Sequence, residues 1–132
     1  MSENSNKALE RLMLLEKEAR EMGFEWPHHQ MLYDQMVSEC KEVMSAIQEK
    51  EGHDRIQEEL GDVIHTALSW CAFAGYDVHE TIEKVEQKFG RRMHALKMIA
   101  KERGLNTLQG QPVSFLLELW EEAKKKSIEA GD

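Results

Sequence analysis

Apolar residues recur at intervals of three and four positions along almost all of the 132 residues, which is the spacing of amphipathic α-helices. No segment alternates apolar and polar residues in the manner of a half-buried strand. The chain has two prolines, Pro27 and Pro112, and each lies near the start of a predicted helix, where it does not interrupt one. The pattern therefore predicts an all-α fold.

Turn residues divide this pattern into separate helices. The predicted helices cover about 7–22, 29–50, 53–74, 78–103 and 112–127. We expect a four-helix-bundle-like fold with an additional C-terminal helix. Residues 1–8 are expected to be a flexible N-terminus, residues 9–127 one domain, and residues 128–132 a flexible tail.

Composition excludes several classes of protein. Acidic residues outnumber basic ones 25 to 17, giving a net charge of −8, whereas a broad nucleic-acid surface needs a basic face. No apolar run approaches the roughly 18–20 residues of a membrane span, and the first residues do not resemble a signal peptide. Two cysteines fit a reducing compartment. We therefore expect a cytoplasmic protein that binds neither nucleic acid nor membrane.

Two pairs of acidic residues have the spacing that places both members on one helix face: Glu39 with Glu42, and Glu59 with Asp62. Taken singly the pairs carry little weight, because about five such pairs are expected by chance in so acidic a chain. Their positions relative to the apolar stripes are more informative. With Cys40 and Leu60 as the stripe centres, both pairs fall at about −100° and −160°.

The two pairs are also symmetric about the turn at residues 50/51. In an antiparallel hairpin whose stripes face each other, Glu42 would lie beside Glu59 and Glu39 beside Asp62. The sequence thus predicts four carboxylates on one side of the hairpin. Such a cluster needs a compensating cation, and oxygen ligands favour Mg²⁺, or Mn²⁺, over zinc. The alternative is a solvated acidic surface, and a di-iron site is disfavoured because paired Glu-x-x-His motifs are missing.

Basic and aromatic residues form a second set of candidates, for phosphate and nucleobase. The candidate cations are Arg55, Lys88, Arg91, Arg92 and Lys124. The simpler interpretation is a solvated helix face or, for the lysines that begin at Lys124, compensation of the helix dipole. Trp26 and Trp120 could stack on a base or lie partly buried under loops. Both cysteines and the phenylalanines Phe89 and Phe115 are expected in the core, and His65 is expected to be a hydrogen-bonded interface residue.

Taken together, these residues resemble the MazG-type all-α nucleoside triphosphate pyrophosphohydrolases. The family's Glu-x-x-Glu, spacer, Glu-x-x-Asp motif is present as Glu39 to Glu42 and Glu59 to Asp62. The segments GFEWP, EELGDVIHTAL, EKVEQKFGRR and LWEEAKKK also match, over about residues 9–126. The resemblance is greatest to the second, catalytic domain of two-domain MazG. Ser38, Glu86 and His65 depart from the family pattern, and Glu86 could alter metal number or phosphate contacts.

This resemblance implies hydrolysis of a nucleoside triphosphate to the monophosphate and pyrophosphate. The four carboxylates would hold Mg²⁺, with Glu39 or Glu42 as general base. The candidate cations would bind phosphates, and Trp26 or Trp120 would stack on the base with little selectivity. A homodimer or larger homo-oligomer is expected. Two alternatives remain: a narrower dCTP, dUTP or phosphoribosyl-ATP pyrophosphohydrolase, and a non-catalytic helical dimerisation module.

Overall fold

A computed structural model describes the backbone of residues 2–129 and the side chains of residues 7–128. Within this range the chain is helical and has no β-strand, which confirms the predicted all-α fold. The helices are α1 (Ser2–Glu21), α2 (His29–Gln48), α3 (His53–Phe73), α4 (Val78–Glu102) and α5 (Val113–Glu129).

The observed helix ends agree with the predicted ones to within two residues, except at the start of α1. Helix α1 begins at Ser2, so residues 2–8 are helical in the structure, and the flexibility expected of residues 1–8 stays a prediction. Of the predicted flexible tail, residues 130–132 lie outside the described residues. Gly23, Gly75 and Gly104 follow α1, α3 and α4 with φ values of 90°, 92° and 74°. A left-handed conformation of this kind ends a helix at the least cost when the residue is glycine.

The chain divides into two compact units, Met1–Val78 and His79–Asp132. In the first unit α2 and α3 pack against each other, and the short turn between them makes them an antiparallel hairpin. The buried residues of α2 are Leu32, Val43 and Ala46. Those of α3 are Glu59, Thr66 and Ser69, so the buried face of this helix is polar.

This polar face corrects the expectation that the two apolar stripes face each other. Cys40 is exposed and not in the core, and Leu60 is 47% exposed. The hairpin instead buries residues that lie to one side of each stripe, and the stripes themselves stay on the surface. We use the name hairpin stripe for five of the exposed large apolar residues of these two helices: Tyr33, Met44, Ile47, Leu60 and Ile64.

The core of the second unit lies between α4 and α5. Its buried members are Ala95, Ile99, Leu119 and Ala123, and Phe115 packs against them as expected. The expectation that Phe89 is a core residue is wrong, because its side chain is 54% exposed. Phe89 lies on α4 before the buried segment and contacts the ring of Trp120, with 5.9 Å between ring centroids.

Helices in the described part of the chain are all too polar or too short to be membrane-spanning segments.

Candidate metal centre and adjoining cavity

Three of the four predicted carboxylates meet on the hairpin. One oxygen each from Glu39, Glu42 and Glu59 lies within 4.8 Å of the others. Glu39 and Glu42 share a face of α2, and Glu59 comes from the facing level of α3, as the symmetric spacing about the turn requires. Asp62 does not belong to this group of atoms; its side chain is exposed, but its charge still acts on Glu59.

The described protein groups provide few hydrogen bonds and little positive charge for these carboxylates. The Oε2 atoms of Glu39 and Glu59 are buried and have no hydrogen-bond partner within the described part of the chain. The pKa of Glu59 is raised above its ordinary value, chiefly by burial and then by a hydrogen bond with Glu42, while Arg55 opposes the shift. Buried carboxylate oxygens without donors are costly unless a cation satisfies them. The oxygen-only donor set therefore fits a hard divalent cation such as Mg²⁺.

Arg55 is the nearest compensating charge. Its guanidinium lies 2.6 Å from Glu59, 3.3 Å from Glu58 and 3.5 Å from Glu51, all on or just before α3. The resemblance assigns Arg55 to phosphate, and in the structure it contacts carboxylates instead. On the other helix, Gln35 donates a hydrogen bond of 2.5 Å to Glu39, which orients that side chain.

A cavity of about 460 Å³ lies in the same unit, lined by α1, the loop that follows it, and the ends of α2 and α3. Its size is within the range typical of small-molecule sites. The aromatic side chains of Phe24, Trp26 and Phe73 contribute to walls that are mainly apolar. Trp26, predicted as a candidate for base stacking, is half-buried in this wall.

Polar groups converge at one edge of the cavity. Glu16 on α1 accepts hydrogen bonds from His65 and Ser69 on α3, the first over 2.6 Å. The hydrogen bond expected of His65 is thus present. Sequence reasoning missed Glu16, since it is one of 25 acidic residues and no motif surrounds it. Only the fold brings it opposite α3.

The remaining predicted site residues lie in the second unit. Trp120 is half-buried beside the core, and Lys124 pairs with Glu121 at 2.8 Å. The hydrogen bond from Lys124, together with the charge of Arg92 and others, lowers the pKa of Glu121. The Nε atom of Arg92 is buried and has no hydrogen-bond partner in residues 7–128. Arg92 and Lys124 thus both act on Glu121, which is next to Trp120 in the sequence. The side chains of Lys88 and Arg91 are exposed.

Comparison with known proteins places this architecture in a family. Residues 27–96, which include both acidic pairs, match the MazG nucleotide pyrophosphohydrolase domain. A nucleoside triphosphate pyrophosphohydrolase of Escherichia coli K12 is 27% identical over 123 residues, covering 92% of this chain and 46% of that protein. The nucleoside triphosphate pyrophosphohydrolase/pyrophosphatase MazG of Thermotoga maritima is 27% identical over 117 residues, which cover 89% of this chain and 44% of that protein.

The chain spans about half the length of these curated relatives. The matched segment contains the whole α2–α3 hairpin and therefore all of the clustered carboxylates. It also covers more than half of the chain. The protein belongs to the MazG nucleotide pyrophosphohydrolase domain family.

Proposed function

We propose that this protein hydrolyses nucleoside triphosphates, including deoxynucleotides, to the nucleoside monophosphate and pyrophosphate in a Mg²⁺-dependent reaction. One observation carries the proposal: three carboxylates of the hairpin approach within 4.8 Å, and two of their oxygens are buried without partners. A docking module has no need for such an arrangement, and the matched family and relatives are described as pyrophosphohydrolases.

The chain's own residues have separable roles in this proposal. Glu39, Glu42, Glu59 and Asp62 would hold the cation, which when bound would screen the phosphates and lower the pKa of water. Glu39 or Glu42 would accept the proton of the water that attacks the α-phosphorus. Arg55, which already lies at the cluster, would exchange a carboxylate contact for a phosphate contact.

The cations of the second unit are the further candidates for binding the triphosphate: Lys88, Arg91, Arg92 and Lys124. Of these, Arg92 has the most specific support, because its buried Nε atom has no acceptor among the residues that the structure describes. Guanidinium groups bind phosphate through paired N–H donors, so an unused buried donor fits this role. Trp120, half-buried beside the core of the same unit, is a candidate for stacking on the base.

A panel of nucleoside and deoxynucleoside triphosphates with Mg²⁺, followed for monophosphate and pyrophosphate, tests the reaction, the cleavage position and base preference together. Glu42→Gln should lower kcat by at least about 100-fold, as expected for loss of a ligand or general base. Glu49→Gln, at the exposed residue that directly follows the same helix, is the matched control and should keep wild-type activity. Release of orthophosphate, or equal activity of wild type and Glu42→Gln, would refute the assignment.

A second copy of the chain is the proposed partner of the hairpin stripe. Tyr33, Met44 and Ile47 share one face of α2, and Leu60 and Ile64 share one face of α3, and all are 47–61% exposed. Large apolar side chains left exposed on two packed helices are typical of an interface, and two copies can bury them on each other. Light scattering should show a homodimer or larger assembly, and Ile64→Glu should dissociate it. A monomeric wild type would contradict the proposal.

The cellular setting follows from the same reasoning. Cys40 and Cys71 are not joined by a disulfide in the part of the chain that the structure describes, and thiols on and near a surface persist in a reducing compartment. We therefore place the activity in the cytoplasm, where it would remove non-standard or excess nucleotides.

A further inference from the structure

Glu16 carries an unused acceptor in the cavity of the first unit. Its side chain is 15% exposed, and its Oε1 atom accepts hydrogen bonds from both His65 and Ser69. Two donors fill the capacity of that oxygen. Among the described residues, the recorded contact of the other oxygen, Oε2, is with the guanidinium of Arg20 at 3.8 Å, which is beyond hydrogen-bonding distance. Oε2 can therefore accept a hydrogen bond from a molecule in the cavity.

The rest of the cavity suits a flat, mainly apolar ring. Phe24, Trp26 and Phe73 provide aromatic surface, and the volume of about 460 Å³ accommodates a molecule of nucleoside size. Aromatic side chains stack on nucleobases of every type. Stacking alone would not distinguish one base from another, so any selectivity in this cavity falls to its polar edge.

The helix faces that carry the carboxylates also lead into the cavity. On α3, Asp62, His65, Ser69 and Phe73 follow one another at intervals of three and four residues and share a face. His65 is only about 4.5 Å along the helix axis from Asp62. On α2, Met31 lines the cavity, and Gln35 one turn later donates to Glu39. Both helices thus connect the cavity with the carboxylate cluster.

Resting on the proposed function, we infer that this cavity binds the nucleobase of the substrate and that Glu16 selects bases with an exocyclic amino group. A carboxylate only accepts hydrogen bonds. Adenine and cytosine present an amino donor where uracil and thymine present a carbonyl oxygen. An amino group satisfies Oε2, whereas a carbonyl oxygen in its place leaves the carboxylate unpaired and repels it. His65 and Ser69 are positioning residues, because they hold Glu16 through its other oxygen.

Paired substrates that differ at this one group provide the test: dCTP against dUTP, and dATP against dITP. For the wild type, kcat/KM should favour the amino member of each pair by about 10- to 100-fold, the size expected of a hydrogen bond to a charged group. Glu16→Gln turns an N–H₂ donor toward the base and should abolish or reverse both preferences. Glu18→Gln, an exposed neighbour on α1, is the matched control and should retain them.

Binding of the products separates this inference from the proposed function. Titration calorimetry with dCMP and dUMP, without Mg²⁺, should show the same preference for dCMP and its loss in Glu16→Gln. If no triphosphate is hydrolysed yet dCMP binds preferentially, the proposed reaction fails and the base site stands. If triphosphates are hydrolysed but the amino and oxo members are equal substrates, the base site fails and the reaction stands.

A second variant covers the case in which Glu16→Gln does not fold, which thermal denaturation would reveal. Trp26→Leu removes stacking surface and should weaken the binding of dCMP and of dUMP by the same factor, about 5- to 100-fold. The ratio of the two dissociation constants should therefore stay unchanged. Unchanged affinity for both nucleotides in Trp26→Leu would show that the base binds elsewhere and would overturn the inference.

Discussion

Replacing Glu59 with glutamine should make the metal-free protein more stable and remove its stabilisation by Mg²⁺. Glu59 is 3% exposed, its Oε2 atom has no hydrogen-bond partner, and its pKa is raised chiefly by burial and by its contact with Glu42. Ionised Glu59 therefore opposes folding when no cation is bound. Glutamine has nearly the same shape without the charge. The substitution therefore removes the cost of burying an ionised carboxylate, and it also removes a carboxylate that would bind Mg²⁺.

The magnitude of the Mg²⁺ effect follows from mass action. At a free Mg²⁺ concentration ten times Kd, binding to the folded state adds about 1.4 kcal/mol. A chain of 132 residues has an unfolding entropy of about 0.28 kcal/mol per degree, so the wild-type Tm should rise by about 5 °C. In Glu59→Gln the rise should be within about 1 °C of zero, since a neutral amide is a poor replacement for a buried carboxylate ligand.

The pH dependence has a definite sign. Because the folded-state pKa of Glu59 lies above its ordinary value of 4.5, the folded protein holds this proton more tightly than the unfolded chain. Stability without metal should therefore fall as pH rises from the ordinary value through the raised one. Glu59→Gln should flatten this part of the profile.

Thermal denaturation followed by circular dichroism, in EDTA and in Mg²⁺ from pH 4 to pH 8, measures all of these effects. Glu58→Gln is the matched control, because Glu58 also contacts Arg55 but is 68% exposed at its side chain. We expect it to behave like the wild type. Equal Mg²⁺ stabilisation of Glu59→Gln and wild type would refute the placement of the cation at this cluster.

Four further substitutions test the packing and the glycine positions, each by urea denaturation. Leu119→Ala, at a fully buried position of the second unit's core, should lower the free energy of unfolding by about 2–5 kcal/mol. Leu117→Ala, at a position 60% exposed, should lower it by less than about 1 kcal/mol. Gly90→Ala, within α4 and open to solvent, should stabilise the protein by about 0.5–1 kcal/mol. Gly104→Ala should destabilise it by about 1–2 kcal/mol, because φ is 74° there. Equal effects of the two glycine substitutions would contradict the role assigned to the left-handed turn.

Much of the fold can be predicted because its signals are local. Helical spacing, glycines at helix ends and the absence of strand alternation depend on neighbouring residues, and they predict most helix ends to within two positions. The level of Glu42 beside Glu59 is also predictable, since the rise per residue of two helices joined by a short turn determines which residues lie opposite each other.

Burial could not be predicted in the same way. An apolar stripe shows which face of a helix avoids water, but not whether that face is covered within the chain or by another molecule. For this reason Cys40 and Phe89 are exposed where the sequence predicts core residues, while Glu59, Thr66 and Ser69 are buried.

The helices, the family motif and the carboxylate pairs can therefore be read from the sequence, because all of these depend on spacing along the chain. Which carboxylates meet depends on the packing of α2 against α3, which leaves Asp62 outside the group formed by Glu39, Glu42 and Glu59. Only the tertiary structure brought Glu16 to His65 and Ser69, which lie 49 and 53 residues away. Contacts across such separations depend on how helices pack, and the periodicity of a single helix carries no information about its neighbour.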